Sequence, residues 1–303
     1  METENPLCDF CGSSYGTIVA QGQDRLTNSP QPFTYIRCQT CGLVRLCPRP
    51  TIQAMRQHYP ENYVPYHSQK TDGCISIQQK LRMHYQLKRY RLVVQWKSSG
   101  RILDIGCSTG DFLATMQSRG WQAFGVEWMP QVAGLARQQY GLDVWVGDFV
   151  DAPVVEESFD VITMWDVLEH LYFPTRALEK CSKLLVPGGI LVITLPNWES
   201  WDRILFGKYW SGFDFPRHLY VFPMYILYRM IQQSGLQWLI KKCEIGSYGA
   251  WRQSFDAFLL DYAPQWRRRI NDLLLRLIIK PYLWAAEVCN KGTEATIVCQ
   301  KPF

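Results

Sequence analysis

The pattern of apolar and polar positions in the central and C-terminal parts of the chain predicts strands that alternate with helices. Short apolar runs are separated by stretches of helical periodicity, among them 130–140. The predicted strands are 102–105, 121–127, 143–146, 159–164, 190–195, 236–240 and 296–299. This alternation is typical of an α/β protein with a mostly parallel sheet and helices on both faces.

The first strand ends in a glycine-rich loop. Asp104 lies within the strand, Gly106 and Gly110 lie in the loop, and a helical pattern begins at Asp111. Glycine allows the backbone to approach a ligand closely, and a helix start offers free N–H groups. Open α/β sheets bind nucleotide-like cofactors at this place, so we expect Cys107, Ser108 and both glycines to contact one.

Two acids follow at the ends of the next strands. Glu127, 21 residues after Gly106, is placed to accept hydrogen bonds from ribose hydroxyls. Its neighbour Trp128 could cover a base. Asp148 follows the third strand and could accept from an exocyclic amine while Phe149 packs on the base. These residues, with Trp165 at the end of the fourth strand, complete the predicted cofactor site.

The order of these motifs resembles the class I S-adenosylmethionine-dependent methyltransferases. The matching segments are Asp104-Ile-Gly-Cys-Ser-Thr-Gly110, Glu127, Asp148, Asp166-Val-Leu-Glu-His170 and Pro187-Gly188-Gly189. The resemblance implies S-adenosylmethionine as cofactor and a Rossmann-like, seven-stranded sheet with an antiparallel last strand. One loop position that is often glycine in the family is Ser108. A dinucleotide fingerprint fits less well because its third glycine is absent.

Two cysteine pairs near the N-terminus predict a zinc ribbon. Cys8-x2-Cys11 and Cys38-x2-Cys41 are separated by 26 residues, and each pair is followed by glycine. Four thiolates at this spacing can close a tetrahedral structural Zn²⁺ site, with a rubredoxin-like iron site or incidental cysteines as alternatives. Such a site has no open position and would serve to fold a small module.

Length and composition indicate how large the folded core is, and the motifs divide the chain into modules. The chain has 303 residues, 47% of them hydrophobic and 19% charged, which is enough for a sizeable core. We predict a zinc-ribbon module at 1–50, a linker at 51–79 and a methyltransferase domain at 80–303. The start, Met-Glu-Thr-Glu-Asn-Pro, lacks an apolar signal core, and 11 cysteines favour a reducing compartment, so a cytoplasmic location is expected.

The acceptor side is predicted from an aromatic loop at 196–222, which leaves the fifth strand beside the cofactor site. If a hydroxyl receives the methyl group, His170 and His218 are the candidate bases, and packing or a structural hydrogen bond is the alternative role for each. Asp166, Asp214 and Arg217 are candidate orienting or substrate-binding groups. The ribbon and the segment 215–220 resemble bacterial small-molecule enzymes related to ubiquinone O-methyltransferases, which implies a glycan, lipid-linked or quinone-like acceptor.

A helical insertion at 250–290 carries an apolar stripe beside an arginine triplet. The stripe comprises Ile270, Leu273, Leu274, Leu277 and Ile278. The stretch is too short and too charged to span a bilayer. It could dock on the core or make a dimer contact, or it could lie on a membrane surface through 265–285. The oligomeric state stays open.

Two other functions compete with a small-molecule methyltransferase. Residues 73–103 hold seven Lys/Arg and no acid, which would suit an RNA methyltransferase. Between Cys8 and Cys41, however, only Arg25 and Arg37 are basic, which disfavours a nucleic-acid partner. The third function is a non-catalytic binding module, which the intact glycine loop and Glu127 disfavour.

Overall fold

The computed structural model describes residues 2–27, 29–60, 77–243, 247–267 and 269–303. In these ranges the strands are β1 (Thr3–Glu4), β2 (Gly16–Asp24), β3 (Ser29–Cys38), β4 (Val44–Leu46), β5 (Arg49–Pro50), β6 (Arg101–Ile105), β7 (Gln122–Glu127), β8 (Asp143–Val146), β9 (Phe159–Trp165), β10 (Leu185–Pro196), β11 (Tyr220–Val221), β12 (Gln237–Lys242) and β13 (Glu294–Gln300). The α-helices are α1 (Ile52–Met55), α2 (Ile77–Val94), α3 (Asp111–Gln117), α4 (Pro130–Tyr140), α5 (Pro174–Leu184), α6 (Trp201–Phe206), α7 (Met224–Gln233), α8 (Ser247–Tyr262), α9 (Pro264–Arg267) and α10 (Asp272–Val288). Short 3-10 turns cover Arg56–His58, Phe149–Asp151, Leu168–His170 and Gly207–Tyr209.

The main sheet has seven strands in the order β12-β13-β10-β9-β6-β7-β8. The pairs from β10 to β8 are parallel, whereas β13 is antiparallel to both β10 and β12. The strand β10 is buried at every position from Ile190 to Leu195, as expected for a strand covered on both faces. The predicted Rossmann-like sheet with an antiparallel last strand is confirmed.

Helices cover both faces of this sheet because successive strand residues point to opposite sides. Ile102 packs with Leu92 of α2, Leu113 of α3 and Ala133 of α4 in one buried cluster. Leu103 belongs to a second cluster with residues of α5 and α7. The sheet therefore separates two apolar cores, and its strand ends are left as the place for a site.

The N-terminal strands form a second sheet in the order β11-β4-β3-β2. Thr17-Ile-Val-Ala20 and Phe33-Thr-Tyr-Ile36, which the sequence predicts as two short strands of the zinc ribbon, lie within β2 and β3. The edge strand β11, however, comes from the predicted aromatic loop, and Tyr220 pairs with Arg45. We call this four-stranded structure the ribbon sheet. The segment 196–222 is thus more ordered than a loop, since it also contains α6.

Part of the predicted linker is helical. Thr51 caps α1, because its hydroxyl oxygen accepts a hydrogen bond from the Ala54 N–H at 3.3 Å. The helix α2 begins at Ile77, before the predicted boundary at 80. Residues 61–76, with Tyr63 and Tyr66, lie outside the described ranges. The domain boundaries themselves stay predictions.

The predicted insertion at 250–290 forms α8, α9 and α10. Pro281 lies inside α10 and does not end it. Within the described ranges, no helix combines the length and the hydropathy needed to cross a bilayer.

Candidate active site

A cavity of about 1630 Å³ opens where β6, β7 and β9 end. Its lining joins the glycine loop, the two histidines and residues of α8 and α10. The predicted cofactor residues that line it are Asp104, Gly106, Cys107, Ser108, Glu127, Trp128, Asp148, Phe149 and Trp165. Residues that lie far apart in the sequence therefore line one cavity, and their roles toward a cofactor stay predictions.

The glycine loop depends on left-handed backbone conformations. Gly106 has φ 70°, and a Cβ atom there would lie 2.6 Å from Val167. Gly110, which is not among the lining residues, is the N-cap of α3 and has φ 80°. Ser108 has φ 50°, a conformation that a non-glycine residue adopts at a cost. The one departure from the family's glycine pattern is therefore a point of strain.

Glu127 joins the loop to the end of β7. One carboxylate oxygen accepts from the Ser108 N–H at 2.9 Å, and the other accepts from the Met129 N–H at 3.0 Å. The side chain is buried, which raises the pKa of this carboxyl group. Each oxygen has a second lone pair, so the carboxylate can also accept from two vicinal hydroxyls.

The next wall carries an acid and two aromatic rings. Asp148 accepts from the Val150 N–H through Oδ1 at 3.0 Å. Phe149 is buried, and Trp128 packs edge-to-face on Tyr59 with ring centroids 5.2 Å apart. Flat apolar faces beside a carboxylate suit a purine base with an exocyclic amine.

Asp104 lies beneath the loop and is buried. It accepts a hydrogen bond of 2.6 Å from the Thr163 hydroxyl of β9. Burial raises the pKa of Asp104 to about 7 despite this bond. The Arg89 guanidinium carbon lies 4.7 Å from the centroid of the Trp165 ring. Because Arg89 belongs to α2, this helix closes that side of the cavity.

The two predicted histidines contact each other with ring centroids 4.7 Å apart. His170 Nδ1 lies 2.9 Å from the Arg217 carbonyl oxygen, and His218 Nδ1 lies 3.1 Å from the Gly212 carbonyl oxygen. A carbonyl only accepts, so each Nδ1 must carry the hydrogen, which leaves each Nε2 with a lone pair. Burial lowers the pKa of both rings, that of His170 to about 3, so both are neutral near pH 7.

Carboxyl groups surround this pair. Glu169 Oε1 lies 4.0 Å from His218 Nε2, and neither Glu169 oxygen has a hydrogen-bond partner among the described residues. Burial raises the pKa of Glu169 well above its usual range. Asp166 has φ 58° and lies 3.8 Å from Arg89, and burial raises its pKa too. Glu169, His170 and His218 have ligand atoms within 4.8 Å of one another and could also hold a divalent cation.

Arg217 is buried and its guanidinium is committed to protein groups. It forms ion pairs with Asp214 at 2.5 Å and with Asp24 at 3.0 Å, and it donates to the His58 carbonyl oxygen. These ion pairs raise the pKa of Arg217 and hold the pKa of Asp214 below its usual range. The predicted substrate role of Arg217 and Asp214 stays a prediction, and the geometry gives them a supporting position.

Sequence reasoning missed several residues of the site. Tyr59 comes from the predicted linker, yet its hydroxyl lies 3.1 Å from His170 Nδ1. Asp24 and Tyr35 come from the ribbon sheet and contact the histidine segment. No local pattern marks these positions. Glu169 could have been found, because it belongs to the Asp166–His170 motif.

The predicted metal ligands also come together. The Sγ atoms of Cys8 and Cys41 lie 3.5 Å apart, as do those of Cys11 and Cys38, and all four Sγ atoms lie within 4.8 Å of one another. Zn–S bonds of about 2.3 Å in a tetrahedron require S–S distances of about 3.8 Å, so the cluster fits this metal. Gly12 and Gly42 follow the pairs with positive φ, as the predicted tight turns require.

Comparison with known proteins gives the family. The methyltransferase domain family matches residues 78–240, which is more than half of the chain. A ubiquinone biosynthesis O-methyltransferase of Cereibacter sphaeroides is 29% identical over 165 residues, covering 51% of this chain and 67% of that protein. A probable S-adenosylmethionine-dependent methyltransferase of Mycolicibacterium smegmatis is 27% identical over 122 residues, covering 38% and 46%.

Solved structures share the fold at low identity. A chain of the Haloferax volcanii complex between the Trm112 methyltransferase activator and a candidate methyltransferase has a TM-score of 0.51 at 15% identity, covering 75% of this chain and 92% of that chain. A candidate methyltransferase of Bacillus halodurans also has a TM-score of 0.51, at 13% identity, covering 72% and 99%. The chain belongs to the methyltransferase domain family and is a class I S-adenosylmethionine-dependent methyltransferase.

Proposed function

We propose that this enzyme methylates a hydroxyl group of a small-molecule acceptor that is glycan, lipid-linked or quinone-like. The observation that carries the proposal is the pair of histidines whose Nδ1 atoms face backbone carbonyl oxygens and which line the same cavity as the cofactor loop. A hydroxyl must lose its proton as it is methylated, and a neutral imidazole within reach is the common acceptor of such a proton.

The cofactor would lie across the ends of β6, β7 and β8. Glu127 would accept from the ribose hydroxyls, and Asp148 would accept from the exocyclic amine. Phe149 and Trp128 would face the base, and Gly106, Cys107 and Ser108 would approach the amino-acid portion. When bound, S-adenosylmethionine supplies a methyl group on a sulfonium, which transfers by in-line displacement once the acceptor is aligned.

His218 would take the acceptor proton at Nε2. The imidazolium that forms would be stabilised by the carboxyl oxygens around it. Glu169 Oε1 lies 4.0 Å from His218 Nε2, and Asp166 and Asp214 are the other two acids near this ring. His170 lies against His218, and the repulsion between two imidazolium ions limits the pair to one proton. We therefore assign the base to His218 and the alignment of the hydroxyl to His170.

A quinone-like or otherwise ring-bearing acceptor is supported by the aromatic wall of the cavity. Tyr209, Trp210 and Phe213 line it. The curated relative from Cereibacter sphaeroides is, by its name, a ubiquinone biosynthesis O-methyltransferase. Transfer of labelled methyl from S-adenosylmethionine to catechols, quinols, sugars and lipid-linked sugars would test the class. Methylation confined to amines would overturn the proposal.

We also propose that the cysteine cluster holds a structural Zn²⁺. Cys8, Cys38 and Cys41 are buried in the apolar core that the ribbon sheet shares with one face of the main sheet, and the four ligands leave no open position for chemistry. The metal would therefore stabilise the fold of the sheet.

Contact with an anionic membrane surface is proposed for residues 265–285, with a cytoplasmic location. Only Ile279 and Ala286 of α10 are buried, whereas large apolar side chains on it are more than half exposed. These are Leu273, Leu274, Leu277, Ile278 and Trp284. Arg267, Arg269, Arg276 and Lys280 flank them and are also exposed, which is the composition of an interfacial helix.

Vesicle flotation would test this contact. Binding to vesicles that contain phosphatidylglycerol should weaken with salt and be lost in Leu274→Glu and Ile278→Glu. Val155→Glu serves as the matched control, because it places the same charge at an exposed apolar position outside 265–285. A dimer that buries the same leucines, detected by light scattering without vesicle binding, would overturn it.

A further inference from the structure

We propose that the ribbon sheet positions the two site histidines through Asp24 and Tyr35. The proposal deepens the proposed function, because it concerns how the same two imidazoles are held. It makes the N-terminal sheet a part of the methyl-transfer site in addition to a separately folded, metal-holding structure.

The first connection begins at Asp24, the last residue of β2. Its carboxylate is 1% exposed and accepts from the Leu26 and Thr27 N–H groups and from the Thr27 hydroxyl. It also contacts His58 Nδ1 at 2.6 Å and accepts from Arg217 at 3.0 Å. A buried carboxylate with this many donors is held rigidly, and removal of its charge would leave Arg217 under-compensated.

Arg217 carries the connection onward through its backbone. While its guanidinium is fixed by Asp24 and Asp214, its carbonyl oxygen accepts from His170 Nδ1 at 2.9 Å. This bond requires the hydrogen on Nδ1 of His170, and the Tyr59 hydroxyl, 3.1 Å from the same nitrogen, is then a second acceptor. Movement of Arg217 would therefore change the tautomer of His170.

The second connection runs through Tyr35 of β3. Its hydroxyl donates to the His218 carbonyl oxygen at 2.5 Å, and its ring is fully buried against Phe213 and Phe215. The hairpin of β2 and β3 approaches closely here, because a Cβ on Gly22 would lie 2.4 Å from the Phe215 ring. The ribbon sheet thus forms the surface on which the histidine segment rests.

Backbone bonds continue this contact beyond His218. The Leu219 N–H donates to the Glu169 carbonyl oxygen at 2.7 Å, and the Leu219 carbonyl oxygen accepts from the Leu46 N–H at 2.8 Å. Leu219 therefore bridges the ribbon sheet and the turn that carries Glu169 and His170. Both histidines are held between the two sheets, and neither sheet alone fixes them.

The test is the tautomer of each histidine in the full chain, read from long-range ¹H–¹⁵N spectra with His170→Gln and His218→Gln for assignment. We expect the wild type to show hydrogen on Nδ1 in both rings. Asp24→Asn should lose this pattern at His170, and Tyr35→Phe should shift the signals of His218. The binding of S-adenosylhomocysteine, measured by calorimetry, should be unchanged in both variants.

Two matched controls separate positioning from loss of stability. Thr27→Ala removes one donor to Asp24 without touching Arg217, and Tyr282→Phe removes the hydrogen bond that the half-buried Tyr282 of α10 donates to Asp202. Both should destabilise the fold and leave the histidine signals in place. If Asp24→Asn does not fold, Tyr35→Phe still decides, because it removes one oxygen atom and keeps the packing.

Unchanged histidine signals in the folded variants would overturn positioning by the ribbon sheet. Failure of the base assignment has a different signature, in which the signals move as expected while His218→Gln keeps full methyl transfer. That second result would support the positioning proposal and reject only the chemical role given to His218.

Discussion

The backbone N–H of Ser108 donates a 2.9 Å hydrogen bond to Oε2 of Glu127. This bond joins the glycine loop after β6 to the last residue of β7, so that the two parts of the cofactor site are held by each other. The Met129 N–H occupies the other carboxylate oxygen. Glu127 therefore has a structural role, and the ligand-binding role that we propose for it would use the same two acceptor atoms.

Glu127→Gln should weaken the binding of S-adenosylmethionine by about one to two orders of magnitude, since bonds to a charged group contribute about 1.5–3 kcal/mol. An amide has one acceptor oxygen, so its NH₂ group would face a backbone N–H. Calorimetric titration measures the loss. Glu156→Gln, an exposed acid, should bind as the wild type does. Equal affinities for both variants would remove Glu127 from the cofactor site.

Ser108→Gly should stabilise the protein. Ser108 has φ 50°, where the Cβ atom costs about 1–2 kcal/mol and glycine does not. The greater freedom of glycine in the unfolded chain offsets part of this gain, so we expect about 0.5–1 kcal/mol in the free energy of unfolding. Ser118→Gly is the control, because Ser118 has φ −63° and should lose stability on the same change. Denaturant unfolding distinguishes the two.

Much of the cofactor half could be predicted from the sequence. The strand period, the loop glycines and the spacing to Glu127 are local patterns, and local patterns determine where a parallel sheet places its strand ends. The helices and strands deviate by a few residues at their ends. For example, the strand predicted at 121–127 begins at Gln122. Such shifts leave the site unchanged.

The acceptor half could not be predicted to the same extent, because its contacts join distant parts of the chain. Nothing near Asp24 indicates that it meets Arg217, 193 positions later. Likewise, the two residues of β11 are too few to be recognised as a strand before their partner β4 is known. The sequence marks His218 as a candidate, but its support comes from tertiary structure.

Asp104→Asn should remove a pH dependence of stability. Burial raises the pKa of Asp104 to about 7, above its value of about 3.9 in an unfolded chain. Between about pH 4 and pH 7, Asp104 therefore stays protonated in the folded protein, whereas it is ionised in the unfolded chain. Because the folded state binds more protons in this range, the free energy of unfolding falls as the pH rises from about 4 to about 7. Above pH 7 the full cost of a buried carboxylate remains, on the order of a few kcal/mol.

The asparagine keeps an oxygen for the Thr163 hydroxyl and carries no charge. In urea unfolding, Asp104→Asn should therefore have a higher free energy of unfolding than the wild type at pH 8. The difference should be smaller at pH 5. Asp143→Asn, an exposed acid on β8, should leave the wild-type slope in place. A gain of the same size at both pH values would show that the benefit is not electrostatic.

His218→Gln should lower kcat by about 10²–10⁴ on an acceptor that the wild type methylates, because a positioned base contributes that much. His170→Gln should have a smaller effect on kcat and a larger effect on the KM of the acceptor, since His170 aligns the hydroxyl. Labelled methyl transfer provides both constants. The affinity for S-adenosylhomocysteine should be retained in each variant, and the reverse order of effects on kcat would exchange the two roles.

Loss of the cluster metal should destabilise the ribbon sheet first. Wild-type protein should contain a single Zn²⁺ per chain by plasma mass spectrometry, and Cys11→Ser should lose it. The core that contains Tyr35 and Phe213 also contains Cys8, Cys38 and Cys41. Without the metal, these thiolates would be buried charges or thiols without a ligand, and both are unfavourable. We expect the free energy of unfolding to fall by on the order of several kcal/mol.

The control is Cys289→Ser, which changes an exposed cysteine outside the cluster and should keep both the zinc and the stability. Because β3 carries Cys38 at its end and Tyr35 three residues earlier, loss of the metal should also shift the His218 signals. A zinc-free Cys11→Ser protein with wild-type histidine spectra would show that the cluster and the histidine segment are independent. It would limit the positioning role to Asp24 and Tyr35 themselves.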